Sequence, residues 1–387
     1  MRVAVNLEQL LFSSPGGTGR YTATLAAMLS RLSPADDVIP FFAWHSPAHI
    51  QAAYRRFGLD REALEDAVRL PLPRPVLYDA WLRLSAPRLD RWSSALASAE
   101  IIHAPSPAVP PKDRRPLVVT VHDAAFKLFP DVYPRRGRRF HELGVDAAAR
   151  RADFVIVPSR ASADEIVALT AISEEQIRVV PHGVDRTVAT PDEMERTLDR
   201  YSLTGRPYVL WVGSLEPRKG VGTLIAAFAR LQNEGDGPPP ALVLVGPGGW
   251  LHGGAIEESD VEALGDRLRI LGTVDEDALR ALYAAAVLFA FPSLHEGFGL
   301  PVLEAMIQGT AVLCSDLPAL REVAGAAARF VPAGDRTAWT AALDDLLTRP
   351  AERAGLADAG RSRATGFTWE QTIVNTRAVY HEALGSA

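Results

Sequence analysis

A single cysteine, Cys314, in 387 residues rules out an internal disulfide and fits a reducing compartment. It lies in the apolar run Ala311-Val312-Leu313-Cys314, where a thiol reads as a small buried hydrophobe. A basic excess is also missing. The net charge of −6 argues against a general nucleic-acid binder. Long apolar runs are missing too: the longest, Ala281 to Phe291, falls short of the ~20 residues a membrane helix needs. The stretch Met1-Arg2-Val3-Ala4-Val5-Asn6-Leu7 reaches Glu8 too soon for a signal-peptide apolar region. The expectation is a cytoplasmic protein whose membrane contact, if any, is peripheral and at the inner face. Metal-ligand spacings are absent. His295-Glu296 has Gly299 where a zinc-protease helix needs its second histidine, and Asp275-Glu276-Asp277 reads as an N-cap with first-turn acids. No metal and no cofactor are expected.

What is present is a folded α/β pattern. Hydrophobic residues make up 48% and charged ones 23%, and short apolar runs alternate with amphipathic segments throughout. Strands are predicted at Val3–Leu7, Val38–Trp44, Ile101–His103, Leu117–Val121, Phe154–Val157 and Ile177–Val180. A second series comes at Tyr208–Val212, Ala241–Val245, Leu268–Leu271, Val287–Phe291, Ala311–Cys314 and Arg329–Val331. Predicted helices between them include Tyr21–Leu32, Glu62–Val68, Tyr78–Ala97, Arg138–Arg151, Val221–Gln232, Asp275–Ala285 and Val302–Ile307. Two such series mean two Rossmann-like, doubly wound parallel-sheet domains, at 1–184 and 206–368, with the polar stretch 185–205 as a linker. Ligands of these sheets bind beyond the carboxyl ends of the strands, so an interdomain cleft is expected. The run Gly235-Asp236-Gly237-Pro238-Pro239-Pro240 reads as a surface loop.

The segment His295-Glu296-Gly297-Phe298-Gly299-Leu300-Pro301-Val302-Leu303-Glu304 carries the most chemical information. Pro301 suits the first helical position and Gly309 a helix stop. Backbone N–H groups of Phe298, Gly299 and Leu300 then lie at a positive helix end, an anion site suited to a diphosphate. Glu296 and Glu304 bracket that site and can accept hydroxyls on either side of it. Earlier, Gly213-Ser214 follows a strand, and Arg218-Lys219-Gly220 precedes a helix. That places a planar fork and a point charge where a diphosphate can be met. His122 follows Leu117–Val121 at the carboxyl end of its strand. Gly16-Gly17-Thr18-Gly19 sits between the first strand and the helix Tyr21–Leu32, where glycines permit close backbone approach.

In these residues the chain resembles the retaining glycosyltransferases of family 4, which have the GT-B fold. The paired glutamates Glu296 and Glu304 carry the resemblance. So do Gly16-Gly17-Thr18-Gly19-Arg20-Tyr21, Val121-His122-Asp123, Val180-Pro181-His182-Gly183-Val184-Asp185 and Val212-Gly213-Ser214-Leu215-Glu216-Pro217-Arg218-Lys219-Gly220. Their order spans most of the chain. Ser214 departs from the family, whose members often carry arginine there.

The resemblance implies that residues 369–387 complete the first domain, and that the donor is a nucleoside-diphosphate sugar used without a metal. It also implies that Glu296 contacts sugar hydroxyls, Glu304 the ribose hydroxyls and His122 the donor sugar or acceptor. By the same resemblance, Gly16 and Gly17 are expected to lie over the donor phosphates and Val274 to meet the nucleotide base. Arg218 and Lys219 stabilise the leaving diphosphate. By the same resemblance, attack occurs on the face the leaving group departs from, so Glu296 is not assigned as a covalent nucleophile.

Glu216-Pro217-Arg218-Lys219 and Glu296-Gly297-Phe298-Gly299 are most similar to bacterial mannosyltransferases, which points to GDP-mannose, with a UDP-sugar as the alternative donor. The partner is thus a nucleotide sugar, with a saccharide, lipid-linked or small-molecule acceptor. Two other classes stay open. A dinucleotide-dependent oxidoreductase would need a third glycine where Thr22 stands. A non-catalytic nucleotide-sugar binder would share the same architecture. Arg135-Arg136-Gly137-Arg138-Arg139 reads as a solvated face, with anionic lipid or an anionic acceptor as the other reading. Neither the acceptor nor the oligomeric state is encoded in these motifs.

Overall fold

The computed structural model describes residues 1–13, 15–32, 36–59, 67–231, 239–248 and 256–386. Two compact units emerge. The first comprises Met1–Gly183 with Trp369–Ala387, and the second Val184–Thr368.

The first unit holds seven strands: β1 (Arg2–Asn6), β2 (Asp37–Trp44), β3 (Val68–Pro73), β4 (Ile101–Ala104), β5 (Leu117–Thr120), β6 (Phe154–Val157) and β7 (Ile177–Val179). Their order is β3-β2-β1-β4-β5-β6-β7, and every pair is parallel. The interior strands β4, β5 and β6 are buried at every residue, as a sheet covered on both faces requires. One core packs the β2 side chains Ile39, Phe41 and Ala43 with Trp81, and the other gathers Val3, Val5, Tyr21, Leu25 and Phe42. The C-terminal helix Trp369–Gly385 contributes Ile373 and Tyr380 to the second of these.

The second unit holds β8 (Tyr208–Val212), β9 (Ala241–Val245), β10 (Leu268–Gly272), β11 (Leu288–Phe291), β12 (Val312–Ser315) and β13 (Arg329–Val331), in the order β10-β9-β8-β11-β12-β13. It too is all parallel. In each sheet the strand order reverses once, between β1 and β4 and between β8 and β11, and such reversals are where ligands of open α/β sheets bind.

Several expectations need correction. The strand β3 is one that the sequence pattern does not predict. Its Arg69-Leu70-Pro71-Leu72-Pro73 carries two prolines, which an edge strand tolerates because one side makes no ladder bonds. The helix expected at Glu62–Val68 lies outside the described residues up to 66, and Val68 itself opens β3. The helix expected over Tyr78–Ala97 is three pieces, Arg74–Leu84, Leu89–Arg91 and Ser94–Ala97. The first two are separated by Ser85 in the left-handed region (φ 54°) and by Pro87, which cannot continue a helix, and the last two by Trp92 and by Ser93, whose hydroxyl caps the third piece by accepting the Leu96 N–H.

The stretch 185–205, read as a linker, contains the helix Pro191–Arg200. Thr190 and Glu193 close a capping box at its start, and the helix belongs to the second unit. The glycines Gly16, Gly17 and Gly19 do not precede the first long helix; they are the opening turn of Gly16–Leu32. The glycine- and proline-rich loop 235–240 lies outside the described residues up to 238. Asp275 caps the helix Glu276–Ala285 by accepting the Ala278 N–H at 2.8 Å, as its spacing predicts.

Candidate functional site

In the second unit, the loops after β8 and β11 meet at the point where strand order reverses. The backbone holds them together directly: Leu294 N–H donates to the Arg218 carbonyl at 2.8 Å. Gly220 makes the approach possible. Its φ is +66°, and a Cβ there would lie 2.0 Å from the Pro292 carbonyl oxygen, so only glycine fits.

On this frame Lys219 Nζ donates to Glu296 Oε1 at 2.7 Å, and the Ser293 hydroxyl donates to the same oxygen at 2.7 Å. The Glu296 side chain is 9% exposed. Burial alone would push its carboxyl up, but the charges of Lys219 and Arg218, with the Lys219 and Ser293 hydrogen bonds, hold it below the usual carboxylate range. Arg218 donates to the His295 carbonyl at 3.1 Å and lies 3.7 Å from Glu216, which also accepts the Ser214 hydroxyl at 2.8 Å.

Glu304 lies on the helix Leu300–Ile307, and its Oε2 accepts the Tyr283 hydroxyl at 3.0 Å. That helix opens one residue earlier than expected. Leu300 is its first residue and Pro301 its second, and Gly299 stands at the cap with φ +108° and no side-chain cap bond. A Cβ on Gly299 would lie 2.5 Å from Leu320 Cδ2. Phe298 is buried against the core, packing edge-on to Phe367. Gly309 follows the helix with φ +78°, as a helix stop should. Val274 follows β10, three strand positions from β11, and packs partly against the core.

The structure therefore brings Gly213, Ser214, Arg218, Lys219 and Glu296 together, with Gly299, Leu300 and Glu304 on the next segment. Glu216 stands in a family-like motif with no role of its own in the sequence, and Ser293 and Tyr283 lie outside the motifs. Glu216 and Ser293 had a signal, since both lie in loops at the carboxyl ends of β8 and β11. Tyr283 had none, because its helix precedes β11 and gives no hint of the carboxylate it meets.

The first unit carries His122, Gly16 and Gly17. His122 Nε2 lies 3.3 Å from the Pro105 carbonyl, which can only accept, so that nitrogen carries the proton. His122 Nδ1 then accepts from His182 Nε2 at 3.3 Å. Tyr21 packs its ring on both, 5.2 Å from His122 and 4.5 Å from His182. Its hydroxyl lies 3.2 Å from Thr120 Oγ1, which lies 2.8 Å from His103 Nε2, and His103 Nδ1 lies 2.6 Å from the Tyr380 hydroxyl. Burial favours the neutral imidazole and lowers all three histidines, His103 to about 3 and His182 well below its ordinary value. Among the described residues no cluster of His, Cys, Asp or Glu is arranged to hold a metal, and no helix is long and apolar enough to cross a membrane.

Two family models match the chain in succession: Glycosyltransferase Family 4 over residues 15–188 and Glycosyl transferases group 1 over 195–363. The chain is 30% identical to the O-antigen chain mannosyltransferase B of Escherichia coli, covering 94% of this chain and 95% of that one. It is 35% identical to an MMP alpha-(1->4)-mannosyltransferase of Mycolicibacterium hassiacum, over 70% of this chain and 66% of the other. Among solved structures, Anabaena HepE in complex with UDP and glucose superposes with a TM-score of 0.73 at 18% identity, covering 99% of this chain and 100% of that one. That likeness concerns the fold: two parallel-sheet α/β domains in the GT-B manner.

Proposed function

We propose that this chain, which belongs to the family 4 glycosyltransferases of GT-B fold, moves mannose from GDP-mannose to an acceptor hydroxyl with retention of anomeric configuration. The observation that carries the reading is the Lys219–Glu296–Ser293 cluster beside Arg218 at the reversal point of the second sheet. Loss of a nucleoside diphosphate builds negative charge on the departing oxygens as the anomeric carbon becomes cationic. Arg218, Lys219 and the backbone around Gly299 meet the first of these charges, and no metal is needed for that task. Glu296, kept ionised by its cationic neighbours, accepts donor-sugar hydroxyls, and Glu304 accepts those of the ribose. The acceptor is a saccharide, a glycolipid or a small molecule with a free hydroxyl.

The choice of mannose rests on the two relatives named as mannosyltransferases, at 30% and 35% identity. In the first unit, His122 contacts the acceptor or the donor sugar through its Nε2–H once that N–H turns from the Pro105 carbonyl.

The test is turnover of GDP-mannose in the presence of EDTA, with the anomeric configuration of the product read by NMR. Mannose transfer giving the α-configured product supports the reading. Transfer from a UDP-sugar only would replace the donor, and inversion would remove the same-face mechanism.

A further inference from the structure

A second polar cluster lies at the carboxyl edge of β1, β2 and β3, apart from the histidines around His122. Glu8 follows β1, beside the reversal point of the first sheet, and is 1% exposed. Its Oε2 accepts the Ala43 N–H at 2.9 Å and its Oε1 the His45 Nε2–H at 2.7 Å, while Arg74 Nε lies 3.9 Å away. Each partner comes from a strand end further along the sheet: Ala43 and His45 from the end of β2, and Arg74 from the residue after β3. The Arg74 guanidinium already faces the buried Glu8 carboxylate, so the cluster offers hydrogen-bonding groups rather than an unopposed cation, which suits a hydroxyl-bearing ligand better than an anionic one.

The groups left for a ligand fit a sugar. With Nε2 donating to Glu8, Nδ1 of His45 has no hydrogen-bond partner among the described residues and is left for a ligand hydroxyl. His49 stacks on the same ring at 5.2 Å, and the Arg74 guanidinium is held 4.4 Å over Phe12. Trp44, paired with Pro73 across β2 and β3, is 48% exposed. An exposed indole on the residue before His45, paired across the ladder with the residue before Arg74, puts a stacking face on the same strand ends as a ring nitrogen and a guanidinium, which matches a sugar ring with its C–H face and hydroxyl edge.

Position then sets the ligand's length. β2 and β5 are three strand positions apart, so about 14 Å separates the cluster from the strand that ends at His122. A single sugar ring does not span that. We propose that Trp44, His45 and Arg74 form a distal saccharide subsite, gripping a ring of an oligosaccharide acceptor beyond the one that reacts. The assignment rests on the glycosyltransferase reading above and extends it to the acceptor's size.

The test titrates the full chain with α-mannotriose, cellotriose, maltotriose and the methyl glycosides of mannose and glucose, read by saturation-transfer NMR. Thermal stabilisation by GDP-mannose and UDP-glucose is measured in parallel. At least one trisaccharide should bind about tenfold more tightly than its methyl glycoside, and Trp44→Ala or Arg74→Gln should erase that advantage. The nucleotide-sugar stabilisation should not change in either variant, and both altered side chains are partly exposed, so the fold should hold. Trisaccharide binding that survives both substitutions overturns the subsite. So does a chain that binds nucleotide sugar but no trisaccharide. A chain that no nucleotide sugar stabilises sinks the glycosyltransferase reading instead, and trisaccharide binding lost in Trp44→Ala would then still support the subsite.

Discussion

The two sheets share a topology and differ in the loops at the carboxyl ends of their strands. At its reversal point the second unit sets unlike charges in contact, with Lys219 on Glu296 and Arg218 close to Glu216. The histidine network of the first unit is neutral: His122, His182 and His103 are held uncharged by burial and tied to hydroxyls and a carbonyl. A charged site is built to receive charge, and a neutral one to orient hydroxyls and rings. The same frame thus acquires two chemistries from a few loop residues.

The largest effect is expected at Glu296. Glu296→Ala removes the acceptor of the Lys219 and Ser293 bonds and leaves a largely buried ammonium. Transferase kcat/KM should fall by about 10²–10³, roughly 3–4 kcal/mol. Unchanged kcat/KM would mean that the charged cluster is structural only. A Lys219→Met/Glu296→Gln double-mutant cycle sharpens the point, because residues in direct contact should show coupling of about 1–3 kcal/mol.

Gly220→Ala comes next. A methyl group 2.0 Å from the Pro292 carbonyl forces the β8 and β11 loops apart, with an expected stability loss of about 3 kcal/mol by chemical denaturation. A variant as stable as the parent would show that the two loops are not held by this approach.

The neutral histidine network should reveal itself in acid. A histidine whose folded pKa is depressed binds fewer protons folded than unfolded. Its contribution is therefore full above about 6.5 and is lost as pH falls toward the folded value. For His103, lowered to about 3 by burial, the loss between pH 7 and pH 5 is about 2 kcal/mol. Denaturation midpoints should fall over that range in the parent and fall less in His103→Gln, which cannot gain the charge. Equal slopes would contradict a neutral His103. Glu296 adds its own loss only below about 4.5, since its folded pKa is also depressed.

The smallest expected effect belongs to Glu304→Ala, which should weaken nucleotide-sugar affinity about tenfold, or ~1.4 kcal/mol, by isothermal titration. Unchanged affinity would count against a ribose contact.

Much of this architecture was legible in the sequence wherever an element is buried on both faces. Phe154–Val157 and Tyr208–Val212 are uniform apolar runs, and they form strands at the predicted bounds. Elements failed where local rules compete. β3 hides behind prolines that only its edge position permits, and Pro191–Arg200 sits in a stretch too polar to signal a buried face. Within the candidate site, Arg218, Lys219 and Glu296 were legible because they flank strand ends and a glycine-bearing turn. Their pairing was not. Which cation meets which carboxylate depends on β8 and β11 being neighbours, and 77 residues separate Lys219 from Glu296. Glu8 and His45 gave no sign for the same reason: their roles exist only once distant strands lie side by side.

The most direct test of a charged, donor-binding second unit is thermal stabilisation by a panel of GDP-mannose, UDP-glucose and NAD(H). Ligand binding at saturating concentration should raise Tm through mass action. A clear rise with GDP-mannose that is lost in Glu296→Ala is expected. Stabilisation by NAD(H) with no response to any nucleotide sugar would contradict it.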